Sequence, residues 1–244
     1  MARRVVCIII AGGDEAGRGA VIGPLVISLV SISKGKEGKL PRIGVRDSKL
    51  LTNKRREFLK DEIYSIAEEV CIYRINNNEI NKAMEGRISI NELEALNFAK
   101  LIDSMEKEPA RILLDSPDVV SERFGVRIGF FSKKNLAVKG IRGRARPEGG
   151  KKIQVIAEHK ADARYPVVSC ASIIAKSERE KAMDEIEEEA GMELGSGYPS
   201  DRYTIDALRR CLPDNSLKPY IREYWKTLRM IRQTRIDDFI GERS

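Results

Sequence analysis

Two adjacent carboxylates, Asp14 and Glu15, follow the short β-branched apolar run Val5 to Ala11 and stand just before Gly17-Arg18-Gly19. Two further apolar runs behave alike: Ala110 to Leu114 closes on Asp115, and Ile153 to Ala157 leads to Asp162. A charge at the end of a buried strand is costly unless something neutralises it. The economical neutraliser is a divalent cation. All-oxygen donors with no cysteine among them select Mg²⁺ or Mn²⁺ over Zn²⁺. The chain has a single histidine, His159, which disfavours Ser-His-Asp and zinc-histidine chemistry. The glycines flanking Arg18 let backbone approach a ligand, and Arg18 offers charge to a phosphate. Carboxylates, a divalent ion and a basic chain point together to phosphoryl transfer on nucleic acid. In a two-metal site, one ion prepares a water and the other stabilises the leaving oxygen.

Two other readings compete for Gly12 to Gly19. Its glycine spacing is that of a nucleotide P-loop, but Arg18 stands where the lysine belongs and Gly19 where the hydroxyl belongs. Asp14 and Glu15 would also lie inside a loop meant to cradle phosphates, which excludes the motif. Taken alone, the stretch also reads as a plain hairpin turn with solvated acids.

The elements that must position these residues alternate. The run Val5 to Ala11 is expected to be a strand buried on both faces and to end or bend at Asp14-Glu15, since adjacent strand residues face opposite sides. Val21 to Ile32 is a second strand, antiparallel to the first. Thr52 caps a helix to about Glu69, Val70 to Ile75 is a strand, and a short helix covers Asn78 to Met84. Ser89 with Glu92 opens a helix to about Lys107. Val126 to Phe131 reads as a further strand or edge segment. The residues Pro166 to Ala190 form a long helix whose acidic second half, Asp184 to Glu189, is a solvated face. A helix from Asp201 to Cys211 precedes a last one from Pro219 to Arg235. There Leu217, Ile221, Tyr224, Leu228 and Ile231 would turn inward, and Lys218, Arg222, Lys226, Arg229 and Arg232 would present a positive stripe to phosphates. Strands separated by helices pair in parallel, which brings Asp14 with Glu15, Asp115 and Asp162 to one sheet edge.

The whole chain sets bounds. Its 244 residues suit one large domain, or one domain with an appendage, and its net charge of +7 favours an anionic partner. Aromatics are only 6%, too few for broad base-stacking platforms. Cys7, Cys71, Cys170 and Cys211 are far apart and read as small core residues in a reducing compartment. No secretory leader is expected, and Val21 to Ile32, broken by Gly23 and Pro24, is too short to span a membrane. The reading is a cytoplasmic protein without a membrane partner. The segment Lys133 to Lys152 is strongly basic, either a loop over an anion site or a solvated surface loop. The abundance of Lys, Arg and Glu suits a thermophile.

Several segments together resemble ribonuclease HII of the archaeal type. They are D-E-A-G-R-G at Asp14 to Gly19, D-S-K at Asp47 to Lys49, L-L-D-S-P at Leu113 to Pro117, H-K-A-D-A-R-Y-P-V-V-S-C-A-S-I-I-A-K at His159 to Lys176, and G-S-G-Y-P-S-D at Gly195 to Asp201. The resemblance implies an α/β RNase H-like fold: a mixed five-stranded sheet flanked by helices over residues 1–191, and a helical C-terminal extension over residues 192–244 that helps bind substrate. It implies cleavage of RNA in RNA–DNA hybrids, and 5′ of single ribonucleotides in duplex DNA, leaving 3′-hydroxyl and 5′-phosphate ends. By motif match Asp14, Glu15, Asp115 and Asp162 would be the catalytic metal ligands, for Mg²⁺ or Mn²⁺. Gly17, Arg18 and Gly19 would contact the ribose 2′-hydroxyl and the scissile phosphate region. Tyr198 would pack against the sugar after the ribonucleotide, and Lys49 would contact phosphate. Ser169 and Ser172 lie in a matching substrate-side stretch. The chain departs from the family pattern at Gly13, at Arg202-Tyr203-Thr204 and at Glu180.

The partners implied are RNA–DNA hybrid and ribonucleotide-containing duplex DNA, acted on by a monomer. The final Asp237 to Ser244 reads as a tail or a docking peptide, with a replication clamp as candidate partner. Two alternatives stand beside this reading: a non-catalytic nucleic-acid-binding protein on the same fold, and another metal-dependent nuclease or resolvase.

Overall fold

A computed structural model describes residues 8–45, 51–139 and 152–241, with side chains to residue 233. The expected strand start at Val5 to Cys7, the Asp47-Ser48-Lys49 segment and most of the basic loop lie outside the described residues. In chain order the elements are β1 (Ile9–Ala16), β2 (Leu25–Ser33), α1 (Leu40–Ile43), α2 (Asn53–Ile66), β3 (Glu69–Ile75), α3 (Asn77–Glu85) and α4 (Ile90–Ser104). Then follow β4 (Arg111–Asp115), α5 (Ser121–Phe131), β5 (Leu136–Val138), β6 (Ile153–Glu158), α6 (Ala161–Arg164), α7 (Pro166–Ala190), α8 (Arg202–Cys211) and α9 (Lys226–Gly241).

The strands form one mixed sheet of six, in the order β3-β2-β1-β4-β6-β5. β1 pairs antiparallel with β2, while β1, β4, β6 and β5 pair in parallel. Parallel pairing requires covered faces, and β2 is buried along its whole length. The sixth strand is β5, a half-buried segment of three residues at the sheet edge.

Three expectations are corrected by the structure. The stretch Val126 to Phe131 belongs to α5, whose buried residues Phe124, Gly125 and Ile128 recur at helical, not strand, spacing. β1 does not end or bend before the acids; it stays paired with β2 through Ala16↔Val26. The last helix begins at Lys226. Pro219 lies in a 3-10 turn, and Ile221 is extended and bridged to Ile22.

The described chain forms two compact units. The first contains β1, Val26–Tyr73 and Asn91–Ser177; the second contains Gly17–Leu25, Arg74–Ile90 and the chain from Glu178 onward. In the first, Ile10, Val30, Ile32, Leu113 and Ile156 of the sheet pack with Leu59 and Ile63 of α2 and Val167, Val168, Ala171 and Ile174 of α7. In the second, Val21 and Ile22 pack with Leu194, Ala207, Leu208, Leu217 and Leu228.

Candidate active site

The acids of the first unit follow from the register. Gly13 pairs with Leu114 across parallel strands, so Asp14 and Asp115 lie one residue further along neighbouring strands. Asp115 in turn pairs with Glu158, whose strand leads through Lys160 into α6. Lys160 has the left-handed backbone φ of 55°, uncommon for a residue with a side chain and costly to hold. That turn lets the Ala161 N–H donate to Asp115 Oδ1 at 2.7 Å, which brings Asp162 to within one residue of the Asp115 carboxylate. Asp162 Oδ1 accepts from the Ala163 N–H at 2.9 Å.

Asp14 and Asp162 are buried, whereas Glu15 and Asp115 are half-buried. Burial pushes the Asp14 carboxyl well above the usual carboxylate range, and the charges of Glu15 and Asp115 push it the same way. A hydrogen bond from Ser172 and the Glu15 N–H, 2.8 Å from Asp14 Oδ1, oppose that rise. Burial and the two neighbouring carboxylates thus both disfavour the charged form of Asp14. Among the described residues no three such side chains are closed into a ready ion cage. The donor chemistry nevertheless fits a divalent ion: the groups are hard oxygens, and their mutual repulsion is what such an ion removes.

β1 carries the acids close to α7 because Gly12 has no side chain. A Cβ there would lie 2.4 Å from the Val167 carbonyl. Gly13 faces space already filled: a Cβ would meet Leu114 Cδ2 at 2.6 Å and Leu29 Cδ2 at 2.7 Å. Ser169 and Ser172 on α7 are each 1% exposed. Ser172 turns to Asp14, and Ser169 Oγ donates to the Asp162 carbonyl. In this structure both serines hold the acids or their backbone.

The second unit begins with the G-R-G segment. Gly17 has φ of 90°, and a Cβ would lie 2.4 Å from Arg179 Nε, so no side chain fits. The Gly17 N–H donates to the Tyr198 hydroxyl at 3.1 Å. Gly19 faces the same ring, since a Cβ there would meet Tyr198 Cε1 at 3.7 Å. The Arg179 guanidinium lies 4.6 Å over the Tyr198 ring and donates to the Ser196 carbonyl at 2.6 Å. Val21 and Ile22 both donate to the Gly197 carbonyl, which ties the Gly17–Pro24 connection to the G-S-G-Y-P turn. That turn has its own supports. Glu187 Oε1 accepts from the Leu194 and Gly195 N–H groups, and Asp201, the cap of α8, accepts from Ser196 and Tyr203.

The arginine of the expected positive stripe that departs most is Arg222. It is fully buried. Its Nε and Nη2 donate to the Gly23 carbonyl at 3.1 and 2.9 Å, and Nη1 donates to the Arg18 carbonyl at 2.9 Å. Burial, then the neighbouring Arg179, pushes this guanidinium down to about 9, so it remains charged at neutral pH. Tyr224, expected inside, is 47% exposed. The acidic half of α7 is not merely solvated either: besides Glu187, Glu185 pairs with Arg74, which also binds Glu178 earlier on the helix. Sequence reading missed Arg179, Glu187 and Arg222 as supports of the loop and turn. Nothing local marks an arginine that bonds to carbonyls some two hundred residues away. Lys49 lies outside the described residues.

The family model described as Ribonuclease HII matches residues 11–228. The ribonuclease HII of Thermococcus onnurineus is 37% identical over 96% of this chain and 99% of the relative. The crystal structure of ribonuclease H2 from Pyrococcus horikoshii superposes with a TM-score of 0.79 at 38% identity, covering 93% of this chain and 98% of that one. The ribonuclease HII of Archaeoglobus fulgidus, solved in complex with PCNA, superposes with a TM-score of 0.75 at 35% identity over 90% and 96% of the two chains.

Proposed function

The chain belongs to the ribonuclease HII family and is a ribonuclease with the RNase H-like fold, and we propose that it cuts the RNA strand of RNA–DNA hybrids and 5′ of single ribonucleotides in duplex DNA. The observation that carries the proposal is the repulsive carboxylate cluster around Asp14. A protein that only bound nucleic acid would gain nothing by facing phosphates with these acids. A divalent ion, Mg²⁺ or Mn²⁺, held by Asp14, Glu15, Asp115 and Asp162 would supply a Lewis acid to activate water and stabilise the leaving 3′-oxygen, two ions doing so jointly.

The chain's own residues do the rest. Ser172 and the Glu15 N–H orient the Asp14 carboxylate, and the Ala161 N–H orients that of Asp115. Gly17 and Gly19 would bring main chain close to the ribose 2′-hydroxyl and the phosphate beside it, with Arg18 between them. Tyr198, held by Gly17 and Arg179, offers a ring face to the sugar that follows the ribonucleotide. Residues 1–191 would then be the catalytic part and residues 192–244 a helical extension engaged in substrate binding. The Archaeoglobus relative's complex with PCNA supports a replication clamp as partner. We expect the protein to act as a monomer.

A labelled DNA duplex carrying one ribonucleotide tests the reading. One cut 5′ of the ribonucleotide in Mg²⁺ or Mn²⁺, abolished by EDTA, is expected; binding without a cut would defeat it. Asp14→Asn should keep hybrid binding and lose cleavage. Tyr198→Ala should lose single-ribonucleotide cleavage by more than it loses binding; equal losses would reduce Tyr198 to a packing residue.

A further inference from the structure

Arg222 can hold the G-R-G backbone only if its own segment is fixed, and one side chain outside the family motifs does this. Asn81 lies on α3, a helix anchored by buried Ile80 and Ala83 and closed at its start by the Asn76–Glu79 capping box. Its Nδ2 donates to the Ile221 carbonyl at 3.0 Å, and its Oδ1 accepts from the Glu223 N–H at 2.9 Å. The two bonds flank Arg222 on either side. They fill the main-chain positions that a neighbouring strand would fill. On the opposite side, Ile221 is bridged to Ile22, and the Arg222 N–H donates to the Val21 carbonyl at 2.9 Å. The segment is therefore gripped on both sides, and the Arg222 side chain is left one direction, towards the Gly23 and Arg18 carbonyls. Asparagine is a poor residue for a helix interior, where its carboxamide competes with the helix for main-chain groups. At position 81 that tendency is used on another segment.

We propose that Asn81 is a positioning residue for the G-R-G loop: it clamps Ile221–Glu223 so that Arg222 sets the Arg18 and Gly23 carbonyls. The inference rests on the reading above that this loop meets the ribose. Loss of the clamp loosens a loop that must read one particular 2′-hydroxyl. On a duplex with a single ribonucleotide there is no second register to use. On a continuous hybrid, neighbouring riboses supply productive registers, so misplacement scatters the cuts instead of losing them.

The test compares wild type, Asn81→Ala and Asn81→Asp; the last keeps the acceptor for the Glu223 N–H and loses the donor to Ile221. Relative to continuous hybrid, kcat/KM on the single-ribonucleotide duplex should fall about tenfold in Asn81→Ala, the scale of lost buried hydrogen bonds, and at least as much in Asn81→Asp, whose carboxylate would face the Ile221 carbonyl with no donor between them. Hydrogen exchange without substrate is the second readout. Amides of Ala20 to Gly23 should exchange faster in Asn81→Ala, while those of Gly12 to Ala16 keep the wild-type rate. Equal slowing on both substrates, or unchanged exchange at Ala20 to Gly23, overturns the clamp. If wild type cuts neither substrate, the functional reading fails instead, and exchange still judges the clamp. Should Asn81→Ala not fold, Asn81→Asp decides by the same two readouts.

Discussion

Asp14 shows what a single residue reveals in sequence and what it conceals. Its type and its place beside Glu15 pointed to charge chemistry, and Asp115 did so by closing an apolar run, whereas Asp162 lies beyond the end of β6, on α6. The energetic sign needed the structure. Because the folded carboxyl sits well above its ordinary value, its charged form is the costly one. That cost is absent below the unfolded value of about 4, grows as pH rises above it, and is complete once pH passes the raised folded value. Asp14→Asn should therefore be the more stable protein at pH 7 in EDTA, by about 1 kcal/mol or more, as read by thermal unfolding. Mg²⁺ should raise the midpoint of wild type and leave that of Asp14→Asn nearly unmoved. Arg222 is the opposite case. Its neighbours in sequence suggested a positive helix face turned to phosphates, and only the fold shows that the side chain turns inward to main-chain carbonyls.

At the scale of elements, most were readable, the short strands β4 and β6 included, whereas α5, read as a strand, the start of α9 and the three-residue β5 were not. The limits of α7 and the N-cap of α2 at Thr52 follow from periodicity and capping chemistry. β5 has three half-buried residues and no alternation, and so gives no strand signal. The approach of β1 to α7 depends on Gly12. Gly12→Ala would drive a methyl into the Val167 main chain, and should cost about 1–3 kcal/mol of stability in denaturant unfolding. Asp201 caps α8 and also ties down Ser196, and its carboxyl is held below the usual range by those hydrogen bonds. The stability it adds is present above its unfolded value near about 4 and is lost as pH falls through the lower folded value. Asp201→Ala should lower stability by about 1 kcal/mol at pH 7 and by progressively less in acid. Chemical denaturation at both pH values would show it.

For the molecule as a whole, the excess of basic residues and the alternation of strands and helices gave the class of partner and of fold correctly; the six-stranded sheet differs from the expected five by its edge strand β5. With a net charge of +7, phosphate contacts should carry much of hybrid affinity. Hybrid binding by the metal-free protein should then weaken about tenfold or more between 50 and 200 mM salt, and a flat response would argue against an electrostatic footprint. The division into units was hidden from any local reading because the second unit gathers segments from the start, middle and end of the chain. The bond from Arg222 to the Arg18 carbonyl spans 204 positions. The G-R-G loop is synthesised directly after Asp14 and Glu15, yet the guanidinium that holds its Arg18 carbonyl is added only at position 222, so a chain interrupted before that point carries the loop's sequence without the bond that fixes its backbone.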